Sequence, residues 1–371
     1  MRSILVSLAL TICALISGAC SQSASTSGGV TDAAKPLPNE MYIKQRMLEA
    51  HSPPDAAVLT TVKQMRGTEG LMEYPVSLAS SDDGNIYISD NNGQALYHAP
   101  PDLVTLKKLL TSGENGQLQY PNTVQIWRNE ILVSDNDGIK VFGRNGSFRK
   151  LLRTFYATFH FTVDTHRNIY ANPTFLMPKE SDPLIVKLDE KGMRVAGFGK
   201  RLNRKEHNYL EDEAYLCELN GNLVAAFKHQ PLVQIYSSEE GKLLREFNVS
   251  HPVFGDLKRL EEDKEFVNPK EGVIMLPRYM GGVKAISDKI YVLLYLPRPE
   301  IVEFDFQGKE TGRYRAQEEL SAANYFGFDV RLAGDSRQFV VGVIDPLHMP
   351  ALITLRPNVK AQAPSKKERA K

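Results

Sequence analysis

The chain has 371 residues, 42% apolar and 24% charged, the composition of a globular protein long enough to bury one large core or two ordinary ones. Its 45 Lys and Arg against 44 Asp and Glu leave a formal net charge of +1, without the strongly basic footprint of a nucleic-acid-binding protein. Val, Ile, Tyr and Phe fall in short runs between Gly, Pro, Asn and Asp clusters, which favours strands over helices.

At the N-terminus Arg2 precedes the apolar run Ile4 to Ile16, followed by Ser17, Gly18 and Ala19 before Cys20. That is the layout of a signal peptide over residues 1–19, with an apolar run too short to span a bilayer. Residues 17–20 resemble the lipobox of bacterial lipoproteins, with Ser17 where that family usually has Leu. The resemblance implies diacylation of Cys20 and a lipid-anchored location in the cell envelope, at the outer membrane or periplasmic face of a Gram-negative organism. Ser21, in place of Asp, resembles the pattern sorted to the outer membrane. An ordinary secretory signal cut near Ala19 is the alternative.

Ser21 to Gly29 is a polar, small-residue stretch, and residues 20–55 read as a flexible tether. Loss of Arg2 would leave basic and acidic residues equal in number, and loss of Cys13 with acylation of Cys20 would leave Cys217 alone. No intrachain disulfide is then available, so the core must carry the fold.

Internal repeats set the fold expected for residues 56–357. Tyr74 to Ala79 followed by Gly84 to Asp90, and Tyr120 to Gln125 followed by Asn129 to Asp135, each read as strand, tight turn and strand ending in Ser-Asp. Third strands (Ala95 to His98; Ile139 to Phe142) and fourth strands (Leu106 to Leu110; Phe148 to Arg153) follow, and four short strands in sequence make one propeller blade. Weaker copies follow over Phe159 to Phe198, Ala214 to Phe247 and Gly282 to Arg315. A sixth, Phe326 to Leu355, lacks a fourth strand, and Ala57 to Val62 is the strand expected to supply it. The fold class expected is all-β, a six-bladed β-propeller of four-stranded antiparallel blades, its ring closed by an N-terminal strand. Asp83-Gly84-Asn85-Ile86-Tyr87-Ile88-Ser89-Asp90 is similar to the most recurrent segment of the NHL-repeat propellers. That likeness implies the fold, which hosts enzymes, scaffolds and sensors alike.

Strand order places short turns on one face of such a propeller and long connections on the other: Asn172 to Pro183, Lys200 to Glu213, Asn248 to Met280 and Ile344 to Pro350. Loops of that length in a compact domain are usually functional or disordered, and the convergence of several on one face points to that face as the one that binds. The third of them includes a polar helical stretch, Asp256 to Phe266. On the same face lie the candidate ligand-binding residues Tyr120, Asn122, His160, His229, Arg278, Tyr279, Asp345 and His348. Tyrosines there could stack on a ligand, histidines could bind it or carry protons, and Arg278 could receive a carboxylate or phosphate. Each also has an ordinary structural reading. The aromatics Tyr74, Tyr120, Phe159, Tyr215, Tyr279 and Phe326 recur with the blade period, as packing wedges do. Asp90 and Asp135 suit the holding of turns, and Asp135-Asn136-Asp137-Gly138 lacks the later ligands of a calcium loop.

No nucleophile elbow, Walker loop, Cys-x-x-Cys pair or His-Glu-x-x-His motif is present, and no metal or cofactor is expected. The sequence therefore favours a binding module for a small molecule, peptide or envelope protein, touching the membrane through its lipid alone and no nucleic acid. The alternative is a propeller hydrolase or lyase, lactonase-like, with a metal or His site at the channel mouth. Residues 358–371, ending Lys366-Lys367-Glu368-Arg369-Ala370-Lys371, read as a disordered basic tail.

Overall fold

The computed structural model describes residues 56–65, 71–110, 116–154, 157–174, 181–202, 209–262, 267–268, 273–274, 276–316, 324–334, 336–344 and 349–358. Cys20 with its tether, and the basic tail beyond residue 358, lie outside them. Among the described residues no helix is long and apolar enough to cross a membrane.

Strand β1 (Ala57–Met65) opens the domain. Four separate antiparallel sheets of four strands follow in chain order. The first is β2 (Pro75–Ser80), β3 (Ile86–Asp90), β4 (Ala95–Ala99) and β5 (Lys107–Leu110). The second is β6 (Val124–Trp127), β7 (Glu130–Asp135), β8 (Gly138–Gly143) and β9 (Phe148–Leu152). The third is β10 (Ala157–Val163), β11 (Ile169–Thr174), β12 (Ile185–Leu188) and β13 (Arg194–Phe198). The fourth is β14 (Ala214–Leu219), β15 (Asn222–Phe227), β16 (Leu232–Ser237) and β17 (Leu243–Asn248). An insertion then carries helix α1 (Phe254–Glu262) and two short strands, β18 (Val267–Asn268) and β19 (Val273–Ile274). The remaining strands are β20 (Met280–Ile286), β21 (Lys289–Leu294), β22 (Glu300–Phe304), β23 (Glu310–Ala316), β24 (Asn324–Ala333), β25 (Ser336–Ile344) and β26 (Pro350–Pro357).

The arrangement is propeller-like, but four four-stranded sheets stand separately where six were expected. The last seven strands and β1 form one eight-stranded sheet, ordered β20-β21-β22-β23-β1-β26-β25-β24. The cause is a short parallel pairing of β1 with β23, Ala57 to Leu59 beside Tyr314 to Ala316, which joins two edges that would otherwise stay open. The N-terminal strand does pair antiparallel with the last one: Leu59 lies opposite Pro357, Thr61 opposite Leu355 and Met65 opposite Leu352. It runs three residues further than its sequence suggested, to Met65.

The first strands adjoin one another in the cycle β2, β6, β10, β14, β20, β24 and back to β2. Apolar side chains fill the space between successive four-strand runs. Leu96 and Val133 share one buried cluster, Leu132 and Phe161 a second, Ile185 and Leu216 a third, and Ile235 and Val292 a fourth. The eight-stranded sheet folds against itself in the same manner, with Tyr291 and Leu293 on Phe339 and Ile353. Val340 and Leu352 then pack on Leu78 and Ile88, returning to the first sheet. Each such fully buried side chain stabilises the fold by roughly 1.5–3 kcal/mol.

Two glycines are required by this geometry. Gly138 sits at φ +139° with the Leu152 carbonyl where a Cβ would stand, so the hairpin into β8 closes only without a side chain. A Cβ on Gly327 in β24 would come within 2.7 Å of the Leu78 backbone nitrogen, so this glycine lets the last inner strand reach the first.

Candidate functional site

Strand registers fix which residues share a face. Pro75 lies opposite Asp90, Ala157 opposite Thr174, Ala214 opposite Phe227, Met280 opposite Leu294 and Asn324 opposite Ile344. Each pair marks the start of an inner strand and the end of the next strand outward. The four long connections join strand ends on this same side. The chain enters β1 at the opposite end, where Leu59 faces Pro357.

On this face the carboxylate of Glu213, just before β14, gathers three side chains. The Lys228 ammonium donates to Oε1 across 2.6 Å. His160 Nε2 lies 3.2 Å from the same oxygen, and His229 Nε2 lies 3.6 Å from Oε2. Backbone pairing sets up the first contact, since the Lys228 N–H donates to the Glu213 carbonyl at 2.9 Å. His160 comes from the neighbouring sheet, in β10. Its ring packs against Tyr215 with centroids 4.5 Å apart and the planes inclined by 47°, and its Nδ1 lies 3.4 Å from the Thr123 hydroxyl.

The hydrogen bonds assign the imidazole tautomers. His229 Nδ1 lies 3.0 Å from the Pro277 carbonyl, which can only accept, so Nδ1 carries the hydrogen. In the neutral ring, Nε2 then turns a bare lone pair toward Glu213. His160 has the other arrangement: Nε2–H donates to Glu213 and Nδ1 accepts from Thr123.

Burial raises the Glu213 pKa, but the Lys228 charge and the N–H donated by His160 outweigh it and hold the carboxyl well below its usual range. Burial lowers both histidines below their ordinary value against the pull of Glu213, and it lowers Lys228 as well. Near neutral pH the cluster therefore holds a carboxylate, an ammonium and two uncharged imidazoles. Arg278 adds a second positive charge, which itself depresses His160, Lys228 and His229. Its guanidinium lies 5.3 Å from the Tyr295 ring centroid and donates through Nη1 to Asn324 Oδ1 at 3.2 Å.

Of the residues singled out in the sequence, His160, His229 and Arg278 come together here. Tyr120 and Asn122 stand to one side: Tyr120 is 38% exposed, and Asn122 Nδ2 donates to the Tyr120 carbonyl at 3.2 Å. Tyr279 is buried and packs edge-on against Phe254 of α1, so its ring serves the core. Phe326 is buried too, whereas Tyr74 is 46% exposed, so the recurring aromatics do not form one ligand-facing ring. Asp345 and His348 lie outside the described residues. Asp90 and Asp135 hold turns, accepting from the backbone N–H groups of Glu73, Tyr74 and Gly93, and of Gln119, Tyr120 and Asn136 respectively.

Glu213 and Lys228 were not singled out. The signal lay in a broken repeat: where the first sheet has Ser89-Asp90-Asn91, the fourth has Ala226-Phe227-Lys228 with His229 next. Among the described residues no group of three His, Cys, Asp or Glu is placed to hold a metal ion. At Glu213 the Lys228 ammonium already supplies the cation.

No family model matches the chain, and no curated protein matches its sequence. Solved structures do resemble it. A Bacteroides fragilis protein described as exported aligns over 83% of this chain and 98% of its own, at 12% identity and a TM-score of 0.56. A luciferin-regenerating enzyme aligns over 82% and 96%, at 9% identity and a TM-score of 0.53. The calcium-binding protein regucalcin of Agrobacterium tumefaciens aligns over 82% and 97%, at 9% identity and a TM-score of 0.52. At such identities these likenesses establish a shared fold.

Proposed function

We propose that this chain is a lipid-anchored protein of the cell envelope whose propeller binds a small ligand, peptide or partner protein on the face that carries Glu213. In this reading the eight-stranded sheet is two blades joined at β1 and β23, giving six NHL-like blades, and Cys20 bears the lipid. The cycle of first strands and the apolar layer within the eight-stranded sheet support the count of six.

One observation carries the binding reading: His160, Glu213, Lys228 and His229 converge at one end of the inner strands, and Arg278 is brought beside them because its neighbours Pro277 and Tyr279 bond His229 Nδ1 at 3.0 Å and the Lys228 carbonyl at 2.8 Å. Burying so many ionisable groups is costly, and such clusters in clefts are where recognition and chemistry concentrate. The chain enters β1 at the other end of the sheets, which leaves this face clear of the tether's attachment.

The test is the melting temperature of the full chain in detergent across a library of metabolites, peptides and envelope extracts, beside Glu213→Gln. A ligand that raises the melting temperature of the native chain and not of the variant supports the reading. If no Glu213-dependent shift appears in any fraction, the reading is wrong. Incorporation of labelled palmitate, lost in Cys20→Ser, tests the anchor.

A second reading, a hydrolase or lyase using a His, draws on the bare Nε2 of His229, a proton acceptor beside a carboxylate. Turnover of a lactone panel that is abolished in His229→Gln would favour it over simple binding.

A further inference from the structure

We infer that Glu213 and His229 together take a neutral NH2 group of the ligand, as in a primary carboxamide or an aromatic amine, one hydrogen going to Glu213 Oε2 and the other to His229 Nε2. This names the ligand chemistry of the proposed binding face, and it rests on the reading of the cluster as the binding site.

The two oxygens of Glu213 are supplied unequally. Oε1 receives the Lys228 ammonium at 2.6 Å and the His160 Nε2–H at 3.2 Å. Oε2 receives no hydrogen bond among the described residues, and the polar atom it faces is His229 Nε2, 3.6 Å away. That nitrogen is an acceptor too, because the one hydrogen of the neutral ring is spent on the Pro277 carbonyl at 3.0 Å. Among the described residues, two acceptors thus face each other with no donor between them, on side chains that are 13% and 6% exposed. A buried acceptor left without a donor is costly, and these two are served when a donor enters from outside the cluster.

Both acceptors are held in place before any ligand arrives. The Lys228 N–H donates to the Glu213 carbonyl at 2.9 Å, and the Tyr279 N–H donates to the Lys228 carbonyl at 2.8 Å, which fixes the run carrying Pro277 beside His229. Polar groups already aimed lose little entropy on binding. The spacing selects the donor. A nitrogen about 2.9 Å from each atom can send one hydrogen to each, whereas a hydroxyl has a single hydrogen and leaves one acceptor unserved. Charge selects it further. Lys228 already sets one positive charge against this carboxylate, and an ammonium would bring a second cation to it in a setting where charges interact strongly.

Only the uncharged form of His229 offers this lone pair. The titratable groups facing its ring are Glu213 before β14, Lys228 after β15 and Arg278 before β20, with His160 on the other oxygen of Glu213. Burial lowers the His229 pKa against the pull of Glu213, and the Lys228 and Arg278 charges add to burial, so the ring is neutral at pH 7.5. A proton on Nε2 would be donated to Glu213 Oε2 and would close the gap that the ligand fills. Proton and ligand therefore compete. Affinity is full while His229 is uncharged and falls as pH drops through the folded pKa of His229, at most about tenfold per pH unit.

The experiment follows the imidazole nitrogen resonances of His160 and His229 in the full chain in detergent, assigned with His160→Gln and His229→Gln. In the free protein His229 should carry its hydrogen on Nδ1; a hydrogen on Nε2 there would overturn the inference. The probes are acetamide, its N,N-dimethyl derivative, methylammonium and zinc. A saturable shift of His229 Nε2 with acetamide, absent with the dimethyl amide and fading only as the same spectra show His229 taking up a proton, supports it. Glu213→Gln should weaken that response at least tenfold, because its own NH2 can reach His229 Nε2. Should the variant not fold, the two amides on the native chain still decide: an equal response to both means that the NH2 hydrogens are not read, and the donor assignment falls. If methylammonium or zinc moves the resonance and acetamide does not, the site takes a cation and the neutral donor falls. If no probe moves it but the ligand found by melting temperature does, the site stands and the donor assignment falls. If that ligand leaves it unmoved as well, both fall.

Discussion

Asn358 donates its backbone N–H to the carbonyl oxygen of Val58 across 2.9 Å, so one residue after the last strand is held by the first strand of the domain. Between them Leu59, fully buried, packs with Ile301, Phe339 and Leu355. Among the described residues this closure is made by backbone pairing and packing alone. Leu59→Ala should lower the unfolding free energy by about 3 kcal/mol, within the range for a buried leucine at a site that cannot collapse. Urea denaturation measures it. A loss under about 1 kcal/mol would mean that β1 is a passive edge.

Glu213 depends on Lys228 in the same structural sense. Lys228→Met leaves a largely buried carboxylate with two uncharged imidazoles, and breaking such a pair costs on the order of 3 kcal/mol. The double variant Lys228→Met/Glu213→Gln should recover most of that loss, because it removes the stranded charge along with its partner. Equal destabilisation in the single and double variants would show that packing, and not the ion pair, dominates at this position.

The first two sheets were legible because local chemistry marks them. A turn such as Asp83-Gly84 and a carboxylate such as Asp90 act within the segment that contains them. The helix in the insertion was legible too: it starts at Phe254, two residues before the expected Asp256, and is described to Glu262, while residues 263–266 of the expected stretch lie outside the described residues. The joined sheet was not, because β1 meets β23 through Ala57 to Leu59 and residues more than 250 positions away, with no periodic sign in either strand. The site was half legible for the same reason. The repeat frame put His160, His229 and Arg278 on one face, but it could not say that Glu213, 53 residues from His160, turns between the two imidazoles.

The pH dependence of stability follows from the histidines. In the unfolded chain His160 and His229 take up protons below about pH 6.5. In the folded chain both pKa values are lower, with burial the main cause. Over the interval between the two values the unfolded state binds more protons, so stability falls as pH drops and levels off below the folded values. Glu213 works in the same direction at lower pH: its depressed pKa gives stability that is fully present above about pH 4.5 and is lost as pH falls through its folded value. Urea midpoints between pH 7.5 and 4 should therefore slope downward in the native chain. The slope near pH 6 should flatten in His160→Gln/His229→Gln, and an unchanged slope there would assign it to other groups.

Cys217 offers a check on the inner strands that is independent of the site. It lies in β14, free and buried, and burial pushes its thiol up to about 12. A thiol reagent attacks the thiolate, so at pH 8 both the missing ionisation and the missing access protect it. The native chain, blocked at Cys20 by substitution with Ser, should react with an aromatic disulfide reagent only as fast as it opens. Reaction should be complete within minutes in denaturing urea and slower by several orders of magnitude without it. Leu59→Ala, which weakens the closure of the ring, should speed the native reaction in proportion to its loss of stability if exchange requires global opening. Fast labelling in the native chain would mean instead that β14 separates from its neighbours while the rest of the domain stays folded.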